Sequence, residues 1–279
     1  ESVPVSVNDR TRFIYEAACC GLRDFFVKNG YKKACVGVSG GIDSAVVACL
    51  AVAALGAENV RGLMMPSQFS SEGSVEDAKQ LAENLGIEFH VVPITEAYRS
   101  IVDTLIPVIG GTDFDATEEN IQSRIRTLML MALQNKNGYV LLNCSNKSEN
   151  ALGICTLYGD TGGAFSVTGD LYKTEMYDLA RYINRKFGAP IPENILTKEP
   201  SSELRPNQKD SDMLPSYEVV DAILYRLIED GQSREEIINA GFDSDEVQKI
   251  YAMVMRNEKK RFQYPPVLRL SSSSFGHEY

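Results

Sequence analysis

One short string constrains this chain more than any other feature: Gly37-Val38-Ser39-Gly40-Gly41-Ile42-Asp43-Ser44. It follows a buried-strand pattern at 34–38 and opens an apolar stretch at 45–55, which reads as a core helix far short of the ~20 residues that a membrane span requires. Consecutive glycines let the backbone approach a ligand unobstructed, and the N–H groups of the turn and the first helical residues converge on one point. An anion is the expected guest. Ser39 and Ser44 add hydroxyl donors. Asp43 is the odd member, because a carboxylate beside a phosphate repels it unless a cation lies between, so Asp43 predicts magnesium. The string lacks the Gly-Lys-Ser/Thr ending of the common phosphate loop, so ordinary kinase or ATPase chemistry is not implied. Taken alone, the glycine pair also fits a tight turn with Asp43 and Ser44 capping a helix.

Around this string the hydrophobic period alternates. It predicts strands over 34–38, 60–65, 87–92 and 139–142, and helices over 11–28, 44–55, 72–84 and 118–134. Beyond Lys173 the pattern is helical, over 173–187, 217–229 and 243–257, with capping-box spacings at Ser233/Glu236 and Asp243/Glu246. The fold class expected is α/β: a doubly wound parallel sheet with helices on both faces and a helical C-terminal part. Ligands of such sheets bind at the carboxyl ends of the strands, which directs attention to the loops starting at Ser39, Pro66 and Asn143. The polar, proline-bearing stretch 190–215 is a candidate active-site lid. The serine run 271–274 reads as a tail.

With 279 residues the chain can bury a core without disulfides or a structural metal, and its six cysteines show no zinc-type spacing, so reduced thiols are expected. A net charge of -10 disfavours a nucleic-acid partner. No signal-peptide pattern or membrane span is visible, which gives a cytoplasmic expectation. The first residue is Glu1, which suggests a segment cut from a longer protein.

The loop resembles the pyrophosphate loop of the N-type ATP pyrophosphatases, which also include GMP synthetase and tRNA-modifying ligases. Other segments narrow the resemblance to the NAD synthetase family: Glu119-Asn-Ile-Gln-Ser-Arg124, Asn146-Lys-Ser-Glu149, Thr156-Leu-Tyr-Gly-Asp160, Lys198-Glu-Pro-Ser201 and Lys260-Arg261, in the family's order and spacing. The resemblance runs from about Arg10 to Gly276 and implies one adenine nucleotide alpha hydrolase-like domain over 1–279. The activity it implies is ATP-dependent amidation of deamido-NAD to NAD through an adenylated intermediate, with release of AMP and pyrophosphate.

By the same resemblance, Asp43 and Glu149 hold magnesium. Gly37, Val38, Ser39, Gly40, Gly41, Ile42, Asp43, Ser44, Cys144, Lys173 and Ser201 contact ATP. Asn120, Arg124, Glu149 and Lys260 contact deamido-NAD, and Asp43, Glu149 and Lys173 form the catalytic set. Each has a plainer reading: Asn146 and Glu149 fit a capping box, Lys173 a helix-start lysine, Lys260 a surface basic run, and Asn120 and Arg124 a solvated helix face. Cys144 and Ser145 stand where the family commonly has Thr and Gly, which exchanges a hydroxyl for a weakly bonding thiol. Leu157 and Ala164 stand where ammonia-dependent members carry Lys and Asp, which places the chain with the glutamine-dependent branch. That branch carries an upstream nitrilase-like glutaminase domain, absent from this segment, and the family forms homodimers. The readings left open are another pyrophosphatase-loop ligase, such as a GMP synthetase-like enzyme, and a non-catalytic nucleotide-binding module, favoured only by Cys144.

Overall fold

The computed structural model of the protein describes residues 7–111 and 113–275; the opening residues 1–6 and Gly276, where the resemblance ends, lie outside them. The elements run α1 (Val7–Lys28), β1 (Lys33–Gly37), α2 (Ile42–Leu55), β2 (Val60–Met64), α3 (Glu72–Leu85), β3 (Glu88–Val91), α4 (Thr95–Ile109), α5 (Ala116–Asn137), β4 (Tyr139–Asn143), α6 (Lys147–Leu152), β5 (Phe165–Ser166), α7 (Lys173–Phe187), α8 (Glu193–Thr197), α9 (Tyr217–Ile228), α10 (Arg234–Asn239), α11 (Ser244–Arg256) and α12 (Glu258–Arg261).

The strands form a parallel sheet in the order β3-β2-β1-β4-β5. Because successive strand residues point to opposite faces, β1 divides its side chains between two cores. Ala34 and Val36 join α1, α2, α3 and α7 on one face. Cys35 joins α4 and α5 on the other. Helices thus cover both faces, as the alternating pattern predicts. A separate apolar cluster joins α6, α9, α10 and α11, with Leu152, Leu224, Ile237 and Ile250 buried in it. This is the helical C-terminal part.

The strand order reverses at β1, which has β2 on one side and β4 on the other. The loops leaving β1 and β4 therefore diverge at their carboxyl ends and open a crevice there. Over 190–215 the chain is irregular apart from α8 and a 3-10 turn at Asp210–Asp212. It is tied to the body: Lys198 Nζ donates to Asp77 (2.9 Å), and Gln122 Nε2 donates to the Leu204 carbonyl (2.8 Å).

The expected elements leave 95–109 unassigned; α4 there packs Tyr98, Ile101, Val102 and Leu105 on the core that holds Cys35, contains Pro107 and has Ile94, without a capping bond, at its N-cap. One expectation changes. The serine run is packed rather than a tail. Lys147 is fully buried, and its Nζ pairs with Asp170 (2.9 Å) and Glu229 while donating to Ser271 Oγ (2.7 Å) and the Ser273 carbonyl (2.6 Å). A buried ammonium has to replace its lost hydration with acceptors, and these serines supply what the carboxylates leave open.

Candidate active site

The string between β1 and α2 forms one wall of a cavity of about 330 Å³, which Gly37, Val38, Ser39, Gly41, Ile42, Asp43 and Ser44 line. Its hydroxyls brace the turn from within. Ser39 N–H donates to Ser44 Oγ (3.1 Å), Gly41 N–H to Ser39 Oγ (3.2 Å), and Ser44 Oγ to the Gly41 carbonyl (3.0 Å). Gly41 occupies the N-cap of α2, so no side chain caps the first turn, and its donors remain for an anion in the cavity. Gly40 is absent from the lining. Its φ is +78°, and a Cβ there would stand 2.3 Å from the Ser74 carbonyl oxygen of α3. This glycine is required by the turn and by the helix behind it.

Three charged groups meet on the floor. Lys173 Nζ, 4% exposed, lies 2.5 Å from Asp43 Oδ2 and 3.4 Å from Glu149 Oε1. Asp43 comes from the first turn of α2, Glu149 from that of α6 and Lys173 from that of α7. Asn146 links them: its Nδ2 donates to Asp43 Oδ1 (3.0 Å) while its Oδ1 accepts the Glu149 N–H (2.9 Å). The capping role of Asn146 is therefore real, yet the Glu149 carboxylate turns to Lys173. Burial, then the Asp43 charge, push the Glu149 carboxyl above the usual carboxylate range, and the neighbouring Lys173 pulls it back. For Lys173 burial acts downward, but Asp43 and Glu149 outweigh it and raise the pKa, so the ammonium keeps its proton.

Cys144 and Ser201 also line the cavity. The Cys144 thiol makes a weak bond to the Leu142 carbonyl (3.9 Å), and burial followed by the Asp43 and Glu149 charges raises its pKa. Ser201 Oγ accepts from Glu203 N–H (3.1 Å). Glu203, at φ +48°, reaches α3, where its carboxylate accepts from Ser71 Oγ (2.7 Å) and Ser74 Oγ (2.8 Å).

Asn120, Arg124 and Lys260 stand outside the cavity lining and gather about a turn at 153–158. Thr156 Oγ1 donates to Asn120 Oδ1 (2.6 Å), Arg124 Nε to the Leu157 carbonyl (3.2 Å), and Lys260 Nζ to the carbonyls of Gly153 (2.7 Å) and Cys155 (2.8 Å). Sequence reading missed Arg126, which lines the cavity and donates through Nε to the Met65 carbonyl (2.9 Å). Burial lowers its pKa to about 10. Arg126 shares a face of α5 with Ser123, Thr127 and Leu130, which also line the cavity, whereas Arg124, two residues away, points to another side.

The family model described as NAD synthase matches residues 14–264. The glutamine-dependent NAD(+) synthetase of Aquifex aeolicus is 52% identical over 266 residues, 95% of this chain and 47% of that protein. The glutamine-dependent NAD+ synthetase of Acinetobacter baumannii, solved in complex with adenosine diphosphate, is 40% identical with a TM-score of 0.67, covering 98% of this chain and 49% of that one. The NH3-dependent NAD synthetase of Campylobacter jejuni, solved with a nitrate ion, is 29% identical with a TM-score of 0.70, covering 90% of this chain and 95% of that one. The chain thus spans about half the length of the two glutamine-dependent relatives.

Proposed function

Because the chain belongs to the NAD synthase family, we propose that it converts deamido-NAD to NAD, using ATP to activate the nicotinate carboxylate and ammonia to displace AMP. The observation that carries this reading is the meeting of Asp43, Glu149 and Lys173 beneath an uncapped helix start. A carboxylate attacking the inner phosphate brings anion onto anion, which calls for donors and positive charge fixed in advance. The α2 start and the Ser39 and Ser44 hydroxyls bind the outer phosphates, with Cys144 and Ser201 beside the nucleotide. Lys173 exchanges its carboxylate partners for phosphate oxygens and balances the charge that grows on the departing pyrophosphate.

Among the described residues no group of three or more His, Cys, Asp or Glu is suited to hold a metal. Magnesium, however, binds through one or two carboxylates and takes its other ligands from phosphate and water. Asp43 and Glu149 fit that need. They would hold the ion, which would neutralise the triphosphate. Asn120, Arg124, Lys260 and Glu149 are assigned to deamido-NAD.

In this reading the chain alone draws on free ammonia, and glutamine serves only when an upstream glutaminase domain supplies it. A homodimer is the assembly assigned. The exposed Leu128, Tyr158 and Phe262 support it, since they belong to the same elements that gather Asn120, Arg124 and Lys260. The cytoplasm is the compartment assigned, where six free cysteines suit a reducing poise.

The test supplies deamido-NAD, ATP, magnesium and ammonium, with Asp43→Asn as control. Equal yields of NAD, AMP and pyrophosphate, lost in the control, are expected. ATP binding without turnover would overturn the reading, and NAD formation driven by glutamine would overturn its ammonia clause.

A further inference from the structure

Glu149 and Lys173 project from the first turns of different helices, and they meet only if those turns are held in one placement. The helix α6 has six residues, too few for its own hydrogen bonds to fix its direction. Its placement has to come from outside. Lys173 N–H donates to Ser148 Oγ (2.9 Å), which in turn donates to Asp221 Oδ1 (2.5 Å), while Thr174 N–H donates to Asp221 Oδ2 (2.8 Å). One carboxylate from the third helix, α9, therefore closes a ring through the starts of α6 and α7. Asp221 is 5% exposed and does not line the cavity.

We propose that Asp221, acting through Ser148, is a positioning residue for the amidation, because its carboxylate joins the first turns of α6 and α7 and so fixes the separation of Glu149 and Lys173. The residue types fit the task. Two acceptor oxygens serve two helices at once, whereas an amide that keeps its oxygen on the Thr174 N–H turns its N–H2 to Ser148 Oγ and leaves the buried Ser148 hydroxyl proton without that acceptor; a hydroxyl at 148 both accepts and donates. Burial pushes Asp221 up to about 6, so at neutral pH the fold retains a desolvated carboxylate at a cost in stability. That pattern marks groups retained for function.

The proposal rests on the ligase reading, and its test separates the two. Asp221→Asn and Ser148→Ala are each expected to lower kcat by roughly tenfold or more, with KM for ATP within about twofold and Tm within a few degrees. The double variant should lose little beyond either single one, and Ser148→Thr should restore kcat. Wild-type kcat in both folded single variants, or losses that multiply in the double one, would overturn the proposal. A readout without turnover is amide hydrogen exchange at Lys173 and Thr174, expected to quicken at least tenfold in Asp221→Asn relative to the end of α7. If the wild type forms no NAD, the ligase reading fails while exchange still decides the clamp: unchanged protection overturns it.

Discussion

At the carboxyl ends of β1 and β4 charged side chains have one another for partners, whereas around the turn at 153–158 they have main-chain carbonyls. Lys173 stands between Asp43 and Glu149, and every member of that set lines a cavity. Lys260 and Arg124 instead donate to Gly153, Cys155 and Leu157. A charge held by opposing charges can change partners when a polyanion arrives. A charge that donates to the backbone shapes the turn first, and only its remaining donors serve a ligand. Substitutions in the two regions should therefore fail in different ways.

The largest effect belongs to the first region. Lys173→Met should lower kcat by about 10³-fold in a protein whose far-ultraviolet circular dichroism is unchanged, because it removes the fixed positive charge while two carboxylates still face the nucleotide. A loss below tenfold would place Lys173 with the structural lysines and dissolve the contrast.

Next comes the support behind that region. The folded pKa of Asp221, about 6, lies above the ordinary 3.8, so the native state binds this proton more tightly than the unfolded chain. Its contribution is fully present below about pH 4 and is lost as pH rises through about 6, a change on the order of 2–3 kcal/mol. Asp221→Asn should remove that slope. Denaturant unfolding at pH 4.5 and pH 8 checks it, and parallel profiles for the two proteins would refute it. The groups facing Asp221 are Ser148 on α6, Thr174 and Glu175 on α7, and Tyr172 just before α7.

For the second region, Lys260→Ala should raise KM for deamido-NAD about tenfold and also lower Tm by ~2–4 °C, because two carbonyls lose a charged donor. An increase in KM with an unmoved Tm would mean that the turn does not need the lysine. The smallest effect is expected at Cys144→Ser, within about twofold in KM for ATP. The thiol has only a 3.9 Å bond to the Leu142 carbonyl, so a hydroxyl there displaces little.

Legibility in the sequence divides along the same line. The phosphate loop and the sheet were readable because glycine spacing and hydrophobic period are local signals, and β1, α2, β2, α3, α5 and β4 fall where those signals place them. The two-residue β5 is too short to show a period. The helix α4 has a legible period in Tyr98, Ile101, Val102 and Leu105, but Pro107 and an apolar N-cap remove the usual signals at its ends. In the site, Asp43 and Glu149 were readable as chemical types. That Asn146 caps α6 with one atom and reaches Asp43 with the other could not be seen, because that contact joins the ends of two paired strands whose loops lie 103 residues apart in sequence. The serine run shows the reverse error: composition says tail, while the buried Lys147 that recruits it lies far away in sequence.

Ser74 carries a consequence for how this sequence can drift. Its carbonyl fills the space behind Gly40, and its hydroxyl both donates to Glu203 and accepts from Lys198. Loop, helix start and the 198–204 wall therefore share one residue. Positions 40, 74, 198 and 203 should be inherited as a set, and an insertion in the first turn of α3 should be the rarest length change among descendants, since it would shift two walls of the cavity at once.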